Sequence, residues 1–581
     1  MMQRGLSISL IVAAGALTYL CATMAGLLSI DDVGMISSIT NESFTIKSLF
    51  FAGANEYYRP LVVVSYTLNA FWGGLEPFSF HAVNVALHIA NSLLVYWLAC
   101  ELLAPNKERE WVALFASLFF LLSPINSEAV TWISARPDLL CTFFFLLALV
   151  LMVKRRESAS PGALCCFAFA YLASLASKET SIALLGIAPL FLLLTARRGH
   201  RRDALLFVLT LFGTTCVYAF LRTGKQLMLD KGVGSVLKGV GVVGKGALGK
   251  AAAGTAAAGN AVVGSVAVEH PSLLDALGAY GFYLKKLVNP YPLSFTILGY
   301  DRFWAFASLL LALVGAFWLL RRHQAALLPV LVVCLGIVPA LLAYLGRIAF
   351  TPLGERYLYL PMVGFSLLVA LVLADLKKVP RIVPLGCLLL LGILTMARVA
   401  IWCDGTAFWN DALKNAPGFA KSYSALGVIA LQEQKYDEAE RQMKKAIALG
   451  FDETVVWQNL GRVYLARKDY QSYEEAMVKA AARTPYPTGI YQELILALMN
   501  SQKGGERSEL DAKVVKYHLL ALSRDPSYLD AYYNVGKIYL AGGDLRNAKR
   551  YLGLYTERAR NGYFRPFALK MLDKIAAGES S

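Results

Sequence analysis

The chain has 581 residues, of which 57% are hydrophobic and only 17% charged, and its mean hydropathy is +0.51. Soluble domains carry roughly 25% charged residues, so this composition excludes a wholly soluble enzyme, and it excludes disorder for most of the chain, because disorder requires low hydrophobicity and high charge. The net charge is +16, and about +12 of it falls before Asp404, mostly in short loops between apolar segments. That distribution is typical of a membrane protein and not of a nucleic-acid-binding surface.

The first apolar segment, residues 6–30, is predicted to be a retained membrane helix. It is about 25 residues long, whereas the apolar core of a signal peptide has roughly 7–15 residues and about 20 apolar residues suffice to span a bilayer. It leads directly into the acidic pair Asp31-Asp32. Ten further segments bring the prediction to about eleven spans: roughly 80–103, 111–124, 139–153, 162–176, 181–195, 203–222, 302–320, 325–345, 357–374 and 382–402.

The short loops between these segments predict the orientation. Alternate loops hold about 15 Lys and Arg residues in very few positions, and loops of this kind remain in the cytosol. The N-terminus is then cytosolic, and after eleven spans the C-terminal part lies on the opposite side. The cationic loops are 1–5, 106–110, 154–157, 197–202, 321–323 and 376–381, and the opposite set includes Asp31-Asp32, 126–138, 177–180 and 354–359.

Three segments interrupt this alternation. Residues 59–74 and 271–289 are apolar but short, with aromatic and polar residues at their ends, and are predicted to lie in the outer membrane interface. Residues 224–268 are mostly Gly, Ala, Val and Lys, with five lysines, a composition that favours a flexible outer loop. This loop either only closes the topology or acts as a lid or as a contact for anionic lipid.

A period of 34 residues indicates tetratricopeptide helical repeats in the C-terminal part. Gly427 and Gly461 are 34 residues apart, and Gly536 follows 75 residues after Gly461, so the intervening repeat carries about seven extra residues, near 501–507. Small residues at these positions let paired helices approach closely. Aromatic side chains of the repeat helices are expected to face mostly inward: Trp457, Tyr464, Tyr532 and Tyr539.

The predicted fold class is therefore all-α. A polytopic membrane helix bundle, residues 1–402, is followed by a soluble tetratricopeptide α-solenoid, residues 403–581, with about four repeats. Stacked repeats bury a continuous core and present a surface that binds peptides. A role as a scaffold is the alternative to the capture of a substrate.

The cysteines give no indication of a disulfide or a zinc site. Eight of the nine lie within or at the edges of apolar segments, and Cys403 lies where the membrane part ends. The sequence contains no Cys-x-x-Cys and no Cys/His group with zinc spacing. It also lacks the glycine motifs of nucleotide-binding folds, which disfavours an ATP-driven pump.

Asp31 and Asp32 are the first candidates for chemistry. Two adjacent carboxylates at the outer end of a membrane helix are costly to hold near lipid. They either form a solvated helix end or supply a general base at the membrane surface. Such a base could take a proton from an acceptor hydroxyl while a lipid-borne group leaves.

Candidate cations lie on the same face of the membrane. Each could simply extend its charge to the lipid headgroups, but together they would form a positive site for a phosphate or pyrophosphate leaving group. His81 and His88 share one face of the second span, where a structural hydrogen bond is favoured over a ligand role. The cations are Arg59, which follows Tyr58, and Arg136, Lys178 and Arg356; the carboxylates predicted to balance them are Glu128, Asp138, Glu179 and Glu355.

The order of the motifs resembles the GT-C class of membrane glycosyltransferases, and most closely the transmembrane and tetratricopeptide-repeat O-mannosyltransferases (TMTC type). The resemblance extends over nearly the whole chain. The matching segments are DD at 31–32, YRPL at 58–61, FHAVNVALH at 80–88, SPINSEAVTWISARPDLL at 123–140, SKE at 177–179, GERYLYLP at 354–361 and ARVAIWCDGTAFWNDALKNAP at 397–417.

This resemblance implies a glycosyltransferase that moves a sugar from a polyprenyl phosphate to Ser or Thr hydroxyls of an exported protein, which the repeat domain recruits. Asp31 or Asp32 would be the catalytic carboxylate, with Asp31 favoured. The donor phosphate would be bound by Arg59, Lys178 and Arg356, with support from Tyr58, Glu128, Arg136, Asp138, Glu179 and Glu355. Inverting transfer fits a single base, because phosphate is already a competent leaving group.

The implied partners are the lipid-linked sugar, the acceptor protein and membrane lipid, without nucleic acid. No cofactor is required with certainty; a divalent cation is compatible with the chemistry, although a monophosphate donor needs one less than a pyrophosphate donor does. The short repeat array favours a bacterial member in the inner membrane, with a periplasmic repeat domain. The alternatives are a transferase that modifies a lipid or polysaccharide and a non-catalytic scaffold for envelope assembly.

Overall fold

The computed structural model is helical throughout the residues that it describes, and the all-α fold class predicted from the sequence is confirmed. In those residues extended pairing is limited to one isolated bridge, between Ile297 and Leu353. The described residues divide into two compact units, one ending at Pro417 and the other beginning at Gly418. The described ranges are 2–27, 31–32, 35–36, 58–103, 108–229, 271–346, 351–376, 379–501 and 507–577.

The first unit is a bundle of α-helices joined by short 3-10 turns. Its helices, in chain order, are α1 Met2–Tyr19, α2 Pro60–Gly73, α3 Pro77–Leu102, α4 Arg109–Leu121, α5 Ser127–Thr131, α6 Arg136–Arg155, α7 Pro161–Ser177, α8 Leu184–Thr195, α9 Arg201–Leu229, α10 Leu273–Val288, α11 Arg302–Arg322, α12 Leu327–Gly336, α13 Val338–Gly346, α14 Tyr359–Asp375, α15 Ile382–Cys403 and α16 Gly405–Asn415.

Eight helices in the described part of the chain are long and apolar enough to cross a membrane. A ninth candidate is a broken span, in which Arg109–Leu121 and Pro124–Thr131 meet at 45°. Pro124 lacks the N–H that would continue the first of these helices, so the chain turns where the sequence predicted an unbroken span to residue 124. Two shorter apolar helices, Pro161–Ser177 and Glu179–Thr195, correspond to the remaining predicted spans.

The most deeply buried candidate spans are Pro77–Leu102, Ile133–Arg155 and Glu355–Asp375, whose apolar windows are each 61% buried, against 11% for Arg302–Arg322. His88, on α3, forms hydrogen bonds to two other elements of this buried centre. Its ring nitrogens lie 2.7 Å from the Tyr359 hydroxyl oxygen and 3.1 Å from the Leu121 carbonyl oxygen. The predicted structural hydrogen bond at His88 is therefore confirmed.

Two shorter segments flank the spans on the side of the acidic pair. Helix α2 begins at Pro60, whose fixed φ suits a first helical position. Helix α10 begins with a capping box, in which Ser272 and Asp275 bond to each other's backbone N–H. Most of α10 is buried, including Lys286. The predicted flexible loop, residues 224–268, begins within α9, which ends at Leu229. The rest of the loop lies outside the described residues.

The second unit contains four helix pairs and one further helix within the described residues. The pairs are α17 Ala420–Gln432 with α18 Tyr436–Ala448, α19 Thr454–Ala466 with α20 Tyr470–Ala481, α21 Thr488–Ser501 with α22 Arg507–Arg524, and α23 Leu529–Ala541 with α24 Leu545–Arg558; α25 Arg565–Ala576 follows. Helix α22 has 18 residues, whereas the other paired helices have 12 to 14. The extra length of the third repeat thus lies between α21 and the end of α22.

The spaced glycines mark the closest approach within three of the pairs. A Cβ on Gly427 would lie 2.7 Å from Cγ of Met443, and a Cβ on Gly536 would lie 2.7 Å from Cγ of Leu552. The facing residue is 16 positions further along the chain in both cases. This repeated geometry is the physical reason for the 34-residue period seen in the sequence.

The expectation that the repeat aromatics face inward is only half right. Tyr532 is buried, but Trp457 and Tyr464 are only half-buried and line an open hollow. The polar edge of each has a hydrogen-bond partner. The Trp457 Nε1–H donates to the Asp452 carboxylate at 2.5 Å, and the Tyr464 hydroxyl donates to Glu440 at 3.1 Å.

Candidate functional site

The two adjacent aspartates have different environments. The Asp32 side chain is completely buried, and its Oδ1 accepts hydrogen bonds from the Ser134 backbone N–H at 3.1 Å and from the Ser134 hydroxyl at 2.6 Å. Asp31 is exposed, and within the described residues no hydrogen bond or ion pair engages its carboxylate. One carboxylate is thus fixed in place, and its neighbour is exposed.

The segment that fixes Asp32 is itself held by Arg136. This guanidinium is fully buried and donates to the side-chain oxygens of Asn84 and Asn69, each at 2.8 Å, and to the Phe80 carbonyl oxygen at 2.9 Å. Its Cζ lies 4.4 Å from the centre of the Tyr66 ring. Arg136 therefore anchors the loop that carries Ser134 and does not face an open site.

Arg356 and Glu128 form a buried ion pair between two motifs that are far apart in sequence. The Arg356 Nη1 donates to Glu128 Oε1 at 2.8 Å, and the Arg356 backbone N–H donates to Oε2 at 3.1 Å. The guanidinium also lies 5.2 Å from the centre of the Trp132 ring and 4.9 Å from that of Tyr357. Glu128 thus fixes both the side chain and the backbone of Arg356.

Lys178 and Arg59 are paired in the same way. The Lys178 ammonium donates to Asp138 Oδ1 at 2.6 Å, and it lies 5.3 Å from the centre of the Tyr357 ring, which Arg356 also contacts. The Arg59 Nε and Nη2 both donate to Glu179 Oε2, at 3.1 and 2.9 Å. The other oxygen of Glu179, Oε1, is buried and has no hydrogen-bond partner among the described residues.

The fourth predicted counter-charge, Glu355, pairs with a lysine that sequence reasoning missed. The Lys286 ammonium donates to Glu355 Oε1 at 2.8 Å, and its other two protons are directed at the carbonyl oxygens of Pro290 and Pro292. The Ser294 backbone N–H bonds to the same carboxylate oxygen at 2.9 Å. The sequence did contain a signal for this lysine. Lys285 and Lys286 lie near the end of segment 271–289, which was interpreted as an interfacial helix.

These groups lie in one region of the bundle. Tyr66, whose hydroxyl donates to the Ile133 carbonyl oxygen at 2.7 Å, is within electrostatic range of Asp32, Arg59, Asp138 and Arg136. The structure therefore brings Asp32 together with Arg59, Arg136 and, through Asp138, Lys178. Tyr58 lies at its edge, where its ring centre is 5.9 Å from that of Tyr218.

Three of the cations in this region are paired with a carboxylate before any ligand binds. Arg59, Lys178 and Arg356 each already bond to a carboxylate. Buried charges are costly unless they are paired, which explains why the sequence supplies a carboxylate for each. Within the described ranges, no group of three His, Cys, Asp or Glu side chains is arranged to hold a metal ion.

The repeat unit contains a separate candidate site, a hollow of about 270 Å³ between the first two repeats. Trp457 and Tyr464 form its aromatic wall, and Lys444, Lys479 and Glu475 contribute charge. The Lys479 ammonium lies 4.6 Å from the Trp457 ring centre, a cation–π distance. A hollow that combines aromatic and charged walls is suited to a peptide segment with a polar side chain.

Together, the bundle of apolar helices and the repeat unit define a multi-pass membrane protein with a tetratricopeptide-repeat domain. The family model described as tetratricopeptide repeat matches residues 420–449 and 529–561. These residues form the first and the fourth helix pair. The repeat prediction made from the glycine spacing is confirmed.

The resemblance to the TMTC-type O-mannosyltransferases is also confirmed by the curated relatives. The chain is 25% identical to the human protein O-mannosyl-transferase TMTC3 over 92% of its own length and 62% of that protein, and 25% identical to Drosophila melanogaster Tmtc3 over 84% and 59%. It is 31% identical to mouse TMTC1 over 29% of its length and 18% of that protein. The chain thus spans less than two thirds of the length of each of these relatives.

Proposed function

We propose that the chain is an integral-membrane glycosyltransferase that moves a sugar, of the mannose type, from a polyprenyl monophosphate to Ser or Thr hydroxyls of an exported protein. The observation that carries this proposal is the open carboxylate of Asp31, next to the fixed carboxylate of Asp32 and in one region with several paired cations. The names of the relatives support the class of reaction.

In the proposed mechanism, Asp31 accepts the proton of the acceptor hydroxyl as the hydroxyl oxygen attacks C1 of the sugar. A bond forms between that oxygen and C1, and the bond from C1 to the phosphate oxygen breaks on the opposite face, so the configuration at C1 is inverted. The departing phosphate keeps the electron pair. Asp32, bonded to Ser134, fixes the chain at the position from which Asp31 reaches the acceptor.

The leaving phosphate would be stabilised by Arg59, Lys178 and Arg356. All three are positioned before the donor arrives, because Glu179, Asp138 and Glu128 hold them. Cations that are already oriented need little reorganisation as charge develops on the leaving group. Glu179 Oε1, which is buried and unpaired among the residues that the structure describes, supplies an acceptor for a hydroxyl of the donor.

The principal test of this function is a reconstituted transfer assay. The purified chain in liposomes would be given a polyprenyl monophosphate carrying a labelled mannose and a Ser/Thr-rich exported protein. Label on Ser or Thr of the acceptor, located by mass spectrometry, is the expected result. Label only in lipid or polysaccharide would favour the alternative transferase, and no transfer to any envelope fraction would favour the scaffold.

The repeat domain is proposed to select the acceptor. A chain that stops after Pro417 retains α16, which bonds to the membrane unit through the Thr296 hydroxyl and the Ala412 carbonyl oxygen at 3.0 Å. This truncated protein is expected to keep donor binding and slow hydrolysis of the lipid-linked sugar but to lose glycosylation of the native acceptor. Both activities would be measured after the protein is shown to insert normally.

A point substitution separates acceptor binding from a general effect of the truncation. Trp457→Ala removes the aromatic wall of the hollow and should raise KM for the acceptor without changing donor hydrolysis. Tyr486→Ala is the matched control, because this aromatic side chain lies in the same unit and is 85% exposed. Undiminished acceptor glycosylation in the truncated protein would show that the membrane unit selects its own acceptor.

The orientation predicted by the positive-inside rule places the acidic pair and the repeats outside the cytosol, in the periplasm of a bacterial cell. Ala482→Cys introduces a thiol at an exposed position of the repeat unit, which has no native cysteine. We expect a membrane-impermeant thiol reagent to label it in intact spheroplasts, above the background of the parent protein. Ser158→Cys, exposed directly after the cationic loop 154–157, should be labelled only after lysis, and the reverse pattern would overturn the orientation.

A further inference from the structure

Two cysteines that lie near the two ends of the membrane unit's sequence are in contact in the fold. Cys21 lies in the short 3-10 helix Leu20–Met24 that follows α1, and Cys403 is the last residue of α15. Their sulfur atoms are 3.3 Å apart, and the Cys403 thiol also lies 3.1 Å from the Cys21 carbonyl oxygen. These residues are 382 positions apart in the sequence.

The other cysteines do not share this geometry. All nine lie in the described part of the chain as free thiols, and the contact between Cys21 and Cys403 is the one thiol–thiol hydrogen bond among them. Cys141, for comparison, is buried and surrounded by hydroxyl groups, the nearest being that of Ser181 at 3.0 Å. The close approach of Cys21 and Cys403 is therefore specific to this pair.

We propose that Cys21 and Cys403 are a site of covalent modification and form an intramolecular disulfide. A disulfide has a sulfur–sulfur distance of about 2.05 Å, so the two atoms need to approach by about 1.3 Å, a movement that rotation about a side-chain bond supplies. This proposal departs from the expectation, drawn from the sequence, that structural disulfides are absent. That expectation followed from the absence of local cysteine spacing, which says nothing about residues at the two ends of a bundle.

The oxidant is a protein or small-molecule disulfide. One thiol loses its proton and attacks a sulfur of the oxidant, which forms a mixed disulfide and releases one thiol. The second cysteine then attacks the sulfur of the first and releases the other thiol. Two protein thiols and one oxidant disulfide thus become one protein disulfide and two released thiols. Such oxidants act in the bacterial periplasm, so formation in cells rests on the orientation proposed above.

The position of the bond suggests what it does. Asp31 follows Cys21 by ten residues, and α16 begins two residues after Cys403 with Asp404 as its cap. A disulfide would join the chain that leads to the acidic pair to the end of the last membrane helix. It would limit how far the first helix can move relative to α15. The position of Asp31 relative to the paired cations would then stay nearly constant.

The test uses the full-length protein in native membranes. Free thiols are blocked with N-ethylmaleimide before solubilisation, with and without prior treatment with oxidised glutathione, and the protein is digested without reductant. We expect mass spectrometry to show one linked peptide that contains Cys21 and Cys403, and to show it separate into two on reduction. The melting temperature should fall on reduction in the parent protein but not in Cys21→Ser.

Matched variants exclude a general effect of cysteine replacement. Cys387→Ser, an exposed position on the same helix as Cys403, should keep the linked peptide, whereas Cys21→Ser and Cys403→Ser should lose it and leave the partner thiol alkylated. The proposal is overturned if both thiols of the parent protein are fully alkylated even after oxidised glutathione. That result needs no variant and does not depend on the transfer activity.

Discussion

Asp31→Asn is expected to slow sugar transfer about 10²–10⁴-fold, the usual cost of losing a general base. The substitution keeps the size of the side chain and removes only its capacity to accept a proton. Asp31 is exposed, and its carboxylate makes no hydrogen bond or ion pair within the described residues, so the protein should insert and melt as the parent does. The measurement is kcat for transfer to a Ser/Thr acceptor, with donor binding as a separate readout.

Two further variants distinguish the loss of a base from other causes of lost activity. Glu76→Gln removes another exposed carboxylate, directly before α3, and should leave transfer unchanged. Asp32→Asn disturbs the bonds to Ser134 and should lower both stability and transfer, so a loss of activity there would not identify the base. Full activity of Asp31→Asn would remove this carboxylate from the mechanism and direct attention to Glu128.

Glu128→Gln is expected to reduce the free energy of unfolding by about 3–5 kcal/mol, because it leaves the buried Arg356 guanidinium without its carboxylate. Glu128 is only 1% exposed and Arg356 8% exposed, so solvent cannot replace the lost partner. The measurement is thermal unfolding in detergent. Transfer should fall as well, since Glu128 also holds the Arg356 backbone N–H.

The matched control is an ion pair at the surface of the same unit. Glu108→Gln removes the partner of Arg381 at 2.8 Å, where both side chains are more than half exposed, and pairs of this kind contribute about 0–1 kcal/mol. The double variant Glu128→Gln with Arg356→Gln should recover part of the loss, because no unpaired charge remains. Equal effects of Glu128→Gln and Glu108→Gln would contradict a buried pair.

Much of the membrane fold could be predicted from the sequence, because apolar length and loop charge report directly on how a chain meets a bilayer. Most limits of the spans were predicted closely. The departures are the bend at Pro124 and the first span, which ends at Met24 and not near residue 30. Lys286 was missed for a different reason. Its segment was interpreted as an interfacial helix, and only the folded bundle brings it to Glu355.

The difference between Asp31 and Asp32 could not be predicted either. In the sequence they are adjacent and identical, and Ser134, which fixes one of them, lies 102 residues further along the chain. In the repeat unit, too, only part of the structure could be predicted from the sequence. The spacing of Gly427, Gly461 and Gly536 predicted how the helices pair, but not that Trp457 would remain at the wall of a hollow.

The pairing of every candidate phosphate-binding cation with a carboxylate has a consequence for selectivity. Ordinary phospholipids present phosphate groups over the whole surface of a membrane, and unpaired arginines and lysines there would bind them without discrimination. Cations already matched by Glu128, Asp138 and Glu179 gain little from a phosphate alone and repel one that approaches the carboxylates. A ligand must bring further contacts, such as sugar hydroxyls, to compete. The carboxylates would then give the site selectivity against ordinary phospholipids.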